Sequence, residues 1–154
     1  MNMHISDAQN EQIEEYIIER LWEYNHQHGN VDLKPLFIYF TDKSNQIIAG
    51  LVSRTFWESL EIQYLWVNDK YRKKGLGKQL ILQAEKEALN RSCHMAYVDT
   101  YNFQAKGFYE KLGYKAYGVL EGYAHHHTRF YLTKQFSKPD SDPVIDNEAL
   151  LQQQ

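Results

Sequence analysis

Cysteine is almost missing from this chain: Cys93 is the only one in 154 residues. No intrachain disulfide can form, so a packed core has to hold the fold, and a reducing, cytoplasmic setting fits that usage. Three prolines and eight glycines exclude a collagen-like or Pro/Gly-rich low-complexity chain. No run approaches the roughly 18–20 apolar residues that a membrane-spanning helix needs. The N-terminus MNMHISDAQNEQ holds no apolar stretch of signal-peptide length. Positive charge is not in excess either. A net charge of −3 argues against a general nucleic-acid binder, and the expectation is no nucleic-acid and no membrane partner.

With 43% hydrophobic residues, the chain has enough apolar surface for one packed domain. Residues 11–25 place Ile13, Tyr16, Ile17, Leu21 and Tyr24 on one helical face, with Asp7 or Asn10 as the cap. Three strand-like runs follow at 36–42, 46–56 and 60–67, separated by KSNQ and WES, as in an antiparallel meander. A second helical face comprises Leu76, Leu80, Ile81, Ala84 and Ala88. HMAYVDT (94–100) reads as a buried strand and residues 102–113 as a helix stopped by Gly113. YKAYGVL and HTRFYLTKQF read as two further strands. This order predicts an α+β domain over 1–136 with a crossover at its centre. The remainder, 137–154, is a polar tail with two of the three prolines, either mobile or packed on a partner subunit.

The local exception to the acidic balance is VNDKYRKKGLGKQL (67–80), where a strand meets Lys70, Arg72, Lys73, Lys74 and Lys78 around Gly75 and Gly77. A glycine turn that opens a helix presents free backbone N–H groups and a partial positive charge, which suits an anion. Two common nucleotide loops are excluded. The dinucleotide fingerprint needs a glycine where Leu80 stands, and the P-loop needs glycine at Arg72 and a hydroxyl at Gln79. A solvated basic turn remains the plain alternative at this point.

A second segment changes the weighting. YRKKGLGKQL resembles the pyrophosphate loop of the GNAT-type N-acetyltransferases. NFQAKGFYEKLGY resembles that superfamily's next signature at Asn102, Ala105, Phe108, Tyr109, Lys111, Gly113 and Tyr114. The resemblance covers about residues 36–135 and is absent from the tail. It implies a mixed, mostly antiparallel sheet splayed open between its fourth and fifth strands and flanked by helices. Acetyl-CoA would lie in that opening as cosubstrate, without a metal. Its pyrophosphate would meet the backbone from Arg72 to Lys78, including Lys73, Lys74, Gly75, Leu76 and Gly77. Its pantetheine would pair with Leu65, Trp66 and Val67 and approach Asn102, Ala105 and Phe108. Asn102 bonds the pantetheine or caps the helix that it begins. Many relatives are dimers, so a homodimer is a further expectation.

The chemistry implied is acetyl transfer to a primary amine in a ternary complex; the alternative is a non-catalytic acyl-CoA sensor on the same fold. A lysine-like amine is neutral only about once in 2,500 at pH 7, a cost of roughly 4.6 kcal/mol that a cleft and a base must offset. Glu61 is the candidate base, four residues before Leu65, with Glu58 or a water chain as its rivals. Tyr109 is the candidate acid for the departing thiolate, and aromatic packing is its plain alternative. Trp57, Glu58 and Tyr24 are read as one acceptor wall and Tyr123 and Arg129 as the other. The acceptor itself, a small molecule or a peptide or protein amine, stays open. His125, His126 and His127 are adjacent, so an extended chain cannot turn all three to one side, and zinc spacing is not met.

Overall fold

The computed structural model describes residues 1–136, so the expected tail at 137–154 lies outside the described residues. The elements run α1 (Glu11–Asn25), β1 (Lys34–Thr41), β2 (Ile47–Phe56), β3 (Ser59–Val67), α2 (Leu76–Asn90), β4 (Met95–Tyr101), α3 (Lys106–Lys111), β5 (Lys115–Tyr123) and β6 (His127–Gln135). Six strands form one mixed sheet in the order β1-β2-β3-β4-β6-β5. Only β3 and β4 are parallel, because the α2 crossover joins them; every other neighbouring pair is antiparallel.

Alternation along the strands sorts the side chains. Ala49, Leu51, Leu60, Ile62, Ala96, Val98 and Leu132 are buried on the face that α2 covers. The α2 stripe of Leu80, Ile81, Ala84 and Ala88 meets them and is fully buried. Glu85 interrupts that stripe and is paired with Lys134 of β6 at 2.7 Å, so the buried charge has a partner. The far end of β2 turns through Trp57 and Glu58, both with positive φ (46° and 56°), into a two-residue hairpin.

β3 and β4 stay paired for only four rows, from Ser59↔Met95 to Ile62↔Val98, and then part. The register of β2 against β3 slips between Val52/Ser53, opposite Tyr64/Ile62, so Gln63 is an extra residue at the point of parting. A bulge of this kind bends its strand and raises its twist. The split falls between the third and fourth strands of this chain, one earlier than the implied count, because no strand precedes α1 among the described residues.

α1 begins as expected: the Asn10 side chain accepts from the Ile13 N–H at 3.1 Å. Its apolar face finds little to cover it, since Ile13, Tyr16, Ile17, Leu21 and Tyr24 are all exposed. Contact with the sheet comes from Trp22, edge-on to Phe56 at 6.4 Å, and from the loop that follows, where Asp32 accepts from the Trp57 N–H at 2.9 Å. The expected helix at 102–113 is shorter, because residues 102–105 form a turn and α3 starts at Lys106. Its stop is at Gly113 (φ 92°). The Gly113 N–H donates to the Glu110 carbonyl and the Tyr114 N–H to the Tyr109 carbonyl, which closes the helix end with two reversed bonds.

Candidate active site

The parted strands enclose a cleft of about 820 Å³, within the range of small-molecule sites. One wall is the free edge of β3 from Gln63 to Val67. The other comprises Val98, Asp99 and Thr100 of β4 with Ala105, Phe108 and Tyr109 of the α3 region. Beyond Ile62 the β3 backbone has no partner on its β4 side, so its N–H and C=O groups are available to an extended ligand.

At the mouth the chain makes a 3-10 turn at Asp69–Tyr71, capped by the Asn68 side chain on the Lys70 N–H. Arg72 is anchored there, donating to the Val67 carbonyl at 3.3 Å and pairing with Asp69 at 2.8 Å. Lys73 (φ 62°) and Gly75 (φ 80°) both take left-handed conformations. Alternation of this kind turns successive N–H groups into one concave nest. α2 then starts at Leu76 with no side-chain cap at its N-terminal end, leaving orphan donors and the positive end of the helix facing the cleft. A Cβ on Gly77 would stand in van der Waals contact with the Phe108 ring at 3.5 Å and Val67 at 3.8 Å, so a side chain larger than alanine would crowd the cleft there.

These features fit acetyl-CoA group by group: donors and cations for the pyrophosphate, a free strand edge for the pantetheine amides, and a buried floor for the acetyl end. Of the residues expected to hold it, Leu65, Trp66, Val67, Arg72, Lys73, Gly75, Leu76, Gly77, Lys78, Ala105, Phe108 and Tyr109 line the cleft. Lys74 does not line it; its Nζ lies 5.0 Å from the centre of the Tyr71 ring. Asn102 is corrected as a helix cap. It caps no helix, since α3 is entered through Ala105, and its Oδ1 instead accepts from the Thr128 N–H at 3.2 Å, tying the end of β4 to β6.

Tyr109 sits at the floor, 4% exposed and packed edge-on to Tyr114 with ring centres 5.7 Å apart. Burial first, and then the Asp99 charge, push its phenol up to about 12. Glu61 lies on the sheet face opposite α2, in the row just below the split, where it pairs with Arg54 of β2. It is not among the cleft-lining residues. Trp57 and Glu58 are corrected as an acceptor wall. Their turn feeds the start of β3, about seven residues or roughly 20 Å from Leu65, and they line a separate hollow with Asn30 and Asp32. Tyr24, exposed on α1, lines neither hollow.

Tyr123 and Arg129 reach the site indirectly. Arg129 grips Asp99, which lines the cleft, and also donates to the Tyr123 hydroxyl at 3.4 Å. That bond, with Arg129 the largest cause, holds the Tyr123 phenol below its ordinary value. Asp99 is a cleft residue that the sequence motifs do not point to. The signal for it is one carboxylate in the otherwise apolar, aromatic and hydroxylic strand MAYVDTY. Tyr71 and Gln63 also line the cleft without having been expected. Among the described residues, no group of three or more His, Cys, Asp and Glu gathers in a metal-ligating cluster, and no helix is long and apolar enough to cross a membrane.

A split mixed sheet, with an uncapped helix start facing the split, defines an acyl-CoA transferase class of site. The sequence agrees: the family described as Acetyltransferase (GNAT) matches residues 2–114, and the chain belongs to it. It is an acetyltransferase with acetyl-CoA as cosubstrate. A crystal structure described as an acetyltransferase from Agrobacterium tumefaciens is 33% identical, with a TM-score of 0.84 over 88% of this chain and 100% of that one. The blasticidin-S acetyltransferase of Streptomyces morookaense is 33% identical over 68% of this chain and 80% of its own length. A Bacillus anthracis structure described as a streptothricin acetyltransferase in complex with acetyl-CoA is 27% identical, with a TM-score of 0.60 over 66% of this chain and 62% of that one.

Proposed function

We propose that the chain transfers acetyl from acetyl-CoA directly to a primary amine of a small molecule, within one ternary complex. The observation that carries this reading is the meeting of three features in one cleft: the free β3 edge, the uncapped start of α2 and the buried Tyr109. Acetyl-CoA supplies an acetyl thioester. In the reaction the C–S bond breaks, a C–N bond forms, the amine loses a proton and the sulfur gains one. Tyr109 is the donor to sulfur. Glu61 orders the water that takes the amine proton, with Arg54 holding one of its oxygens.

Direct transfer is favoured over an acyl-enzyme by the position of Cys93. It is 4% exposed and precedes Met95, which pairs with Ser59 at the end of β3 remote from the cleft. Burial also pushes its thiol up, away from the nucleophilic thiolate. A small-molecule amine is favoured because two relatives are named for acetylating blasticidin-S and streptothricin.

Two measurements test the reading. Acetyl-CoA at about a hundredfold excess over its Kd adds about 2.7 kcal/mol to stability, equivalent to a Tm rise of about 5–10 °C for a chain of this size. Thiol release from acetyl-CoA, followed across amine probes that include blasticidin-S and spermidine, should exceed the rate without amine. Binding without amine-dependent thiol release would overturn the catalytic part.

A further inference from the structure

Asp99 is the first residue of β4 beyond the last row paired with β3, Ile62↔Val98. Its backbone edge therefore faces the open cleft, and its side chain lies on the face opposite α2, the same face as Glu61. Two arginine bonds fix the carboxylate: Arg129 Nε donates to Oδ1 at 2.8 Å and Nη2 pairs with Oδ2 at 2.7 Å. Arg129 is itself immobilised. Its Cζ lies 5.7, 5.9 and 5.4 Å from the ring centres of Tyr101, Tyr123 and Tyr131. The Asp99 side chain nevertheless remains 39% exposed.

An exposed ion pair contributes little to stability and gives up side-chain entropy to form. A two-pronged grip backed by three rings does more than hold a surface charge; it sets the plane of a carboxylate at the edge of the reaction site. A carboxylate has about four acceptor positions, and Arg129 occupies one on each oxygen. The rest remain free for donors arriving from the cleft, which Asp99 lines. A protonated amine offers three donors and a charge to match.

We propose that Asp99, clamped by Arg129, receives the ammonium of the acceptor and holds its nitrogen at the mouth of the cleft before deprotonation. Asp99 is thus an acceptor-binding residue and Arg129 its positioning residue. The proposal rests on the acetyl-transfer reading above and adds which side chain selects a charged acceptor. Glu61, one row below the split and tied to Arg54, is left to act on the proton rather than on binding.

The test compares two probes in the thiol-release assay: spermidine, a cation at neutral pH, and 2,2,2-trifluoroethylamine, largely uncharged there. Asp99→Asn should raise KM for spermidine at least tenfold with a smaller change in kcat, and should lower kcat/KM for trifluoroethylamine by a clearly smaller factor. Asp99→Glu should recover part of the spermidine affinity, and Arg129→Gln should raise KM in the same direction. An acetyl-CoA thermal shift in each variant confirms that the fold and coenzyme cleft persist. Equal losses with both probes, or a wild-type KM for spermidine in Asp99→Asn, would overturn the assignment while leaving acetyl transfer intact. A wild-type chain that binds acetyl-CoA but acetylates neither probe refutes the acceptor class and Asp99's role with it.

Discussion

Replacing Tyr109 with Phe is expected to lower kcat by about 10²–10³ while acetyl-CoA affinity changes less than about threefold. The substitution removes one oxygen and keeps the ring, so packing against Tyr114 and Phe108 survives. What disappears is the proton source for the departing sulfur. Burial and the Asp99 charge push this phenol up to about 12, which makes it a weaker acid than a free tyrosine but keeps it protonated across the working range. It therefore acts by a hydrogen bond that tightens as negative charge grows on sulfur, not by full dissociation beforehand. Because the folded-state value is raised, its contribution to stability is complete below the unfolded value of about 10 and is lost as pH rises through 12. An alkaline limb in kcat below about pH 11 thus belongs to another group. Steady-state kinetics with varied acetyl-CoA, beside calorimetric acetyl-CoA binding, separate the two effects. An unchanged kcat would remove Tyr109 from the acid role.

The sequence reveals the parts of this site that are local in the chain, and obscures those made by strand direction and cross-strand pairing. The Asn10 cap, the α2 stripe and the Gly113 stop are each specified within a few residues, and the structure shows all three. The anion loop is equally local, because Gly75 and Gly77 act through their own backbone. Glu61 is different. Its place in the chain puts it four residues before Leu65, but the register with Arg54 and the extra residue at Gln63 decide what it touches. Trp57 and Glu58 stand near Leu65 in sequence and far from it in space, since an extended strand carries them apart. Asp99 gains its partner from Arg129, thirty residues later, and no local pattern announces that pair. The α1 stripe shows the converse: a clear amphipathic pattern that the described residues do not bury.

The second large effect concerns the coenzyme cradle, whose charge and shape can be removed separately. Lys73→Glu with Lys78→Glu removes two cations that line the cleft and substitutes two anions. Each lost charge-assisted contact is worth about 1.5–3 kcal/mol, and with solvent screening of exposed lysines the pair should raise the acetyl-CoA Kd about 100-fold. Gly77→Val should weaken binding by a similar factor for a different reason. An added Cβ would already touch the Phe108 ring and Val67, 3.5 and 3.8 Å away, so the branched methyls beyond it would crowd the passage between the helix start and the strand edge. Salt separates the two. Raising ionic strength screens the lysine contribution over about 10 Å at 0.1 M, so the wild type loses affinity with salt and the double variant loses less. Gly77→Val keeps every cation and should show the wild-type salt slope from a lower starting affinity. Calorimetric Kd values for acetyl-CoA at several salt concentrations give both quantities. If the lysine variant binds as the wild type does, the phosphates rest on backbone donors alone, and the cations around Gly75 and Gly77 are merely a solvated turn.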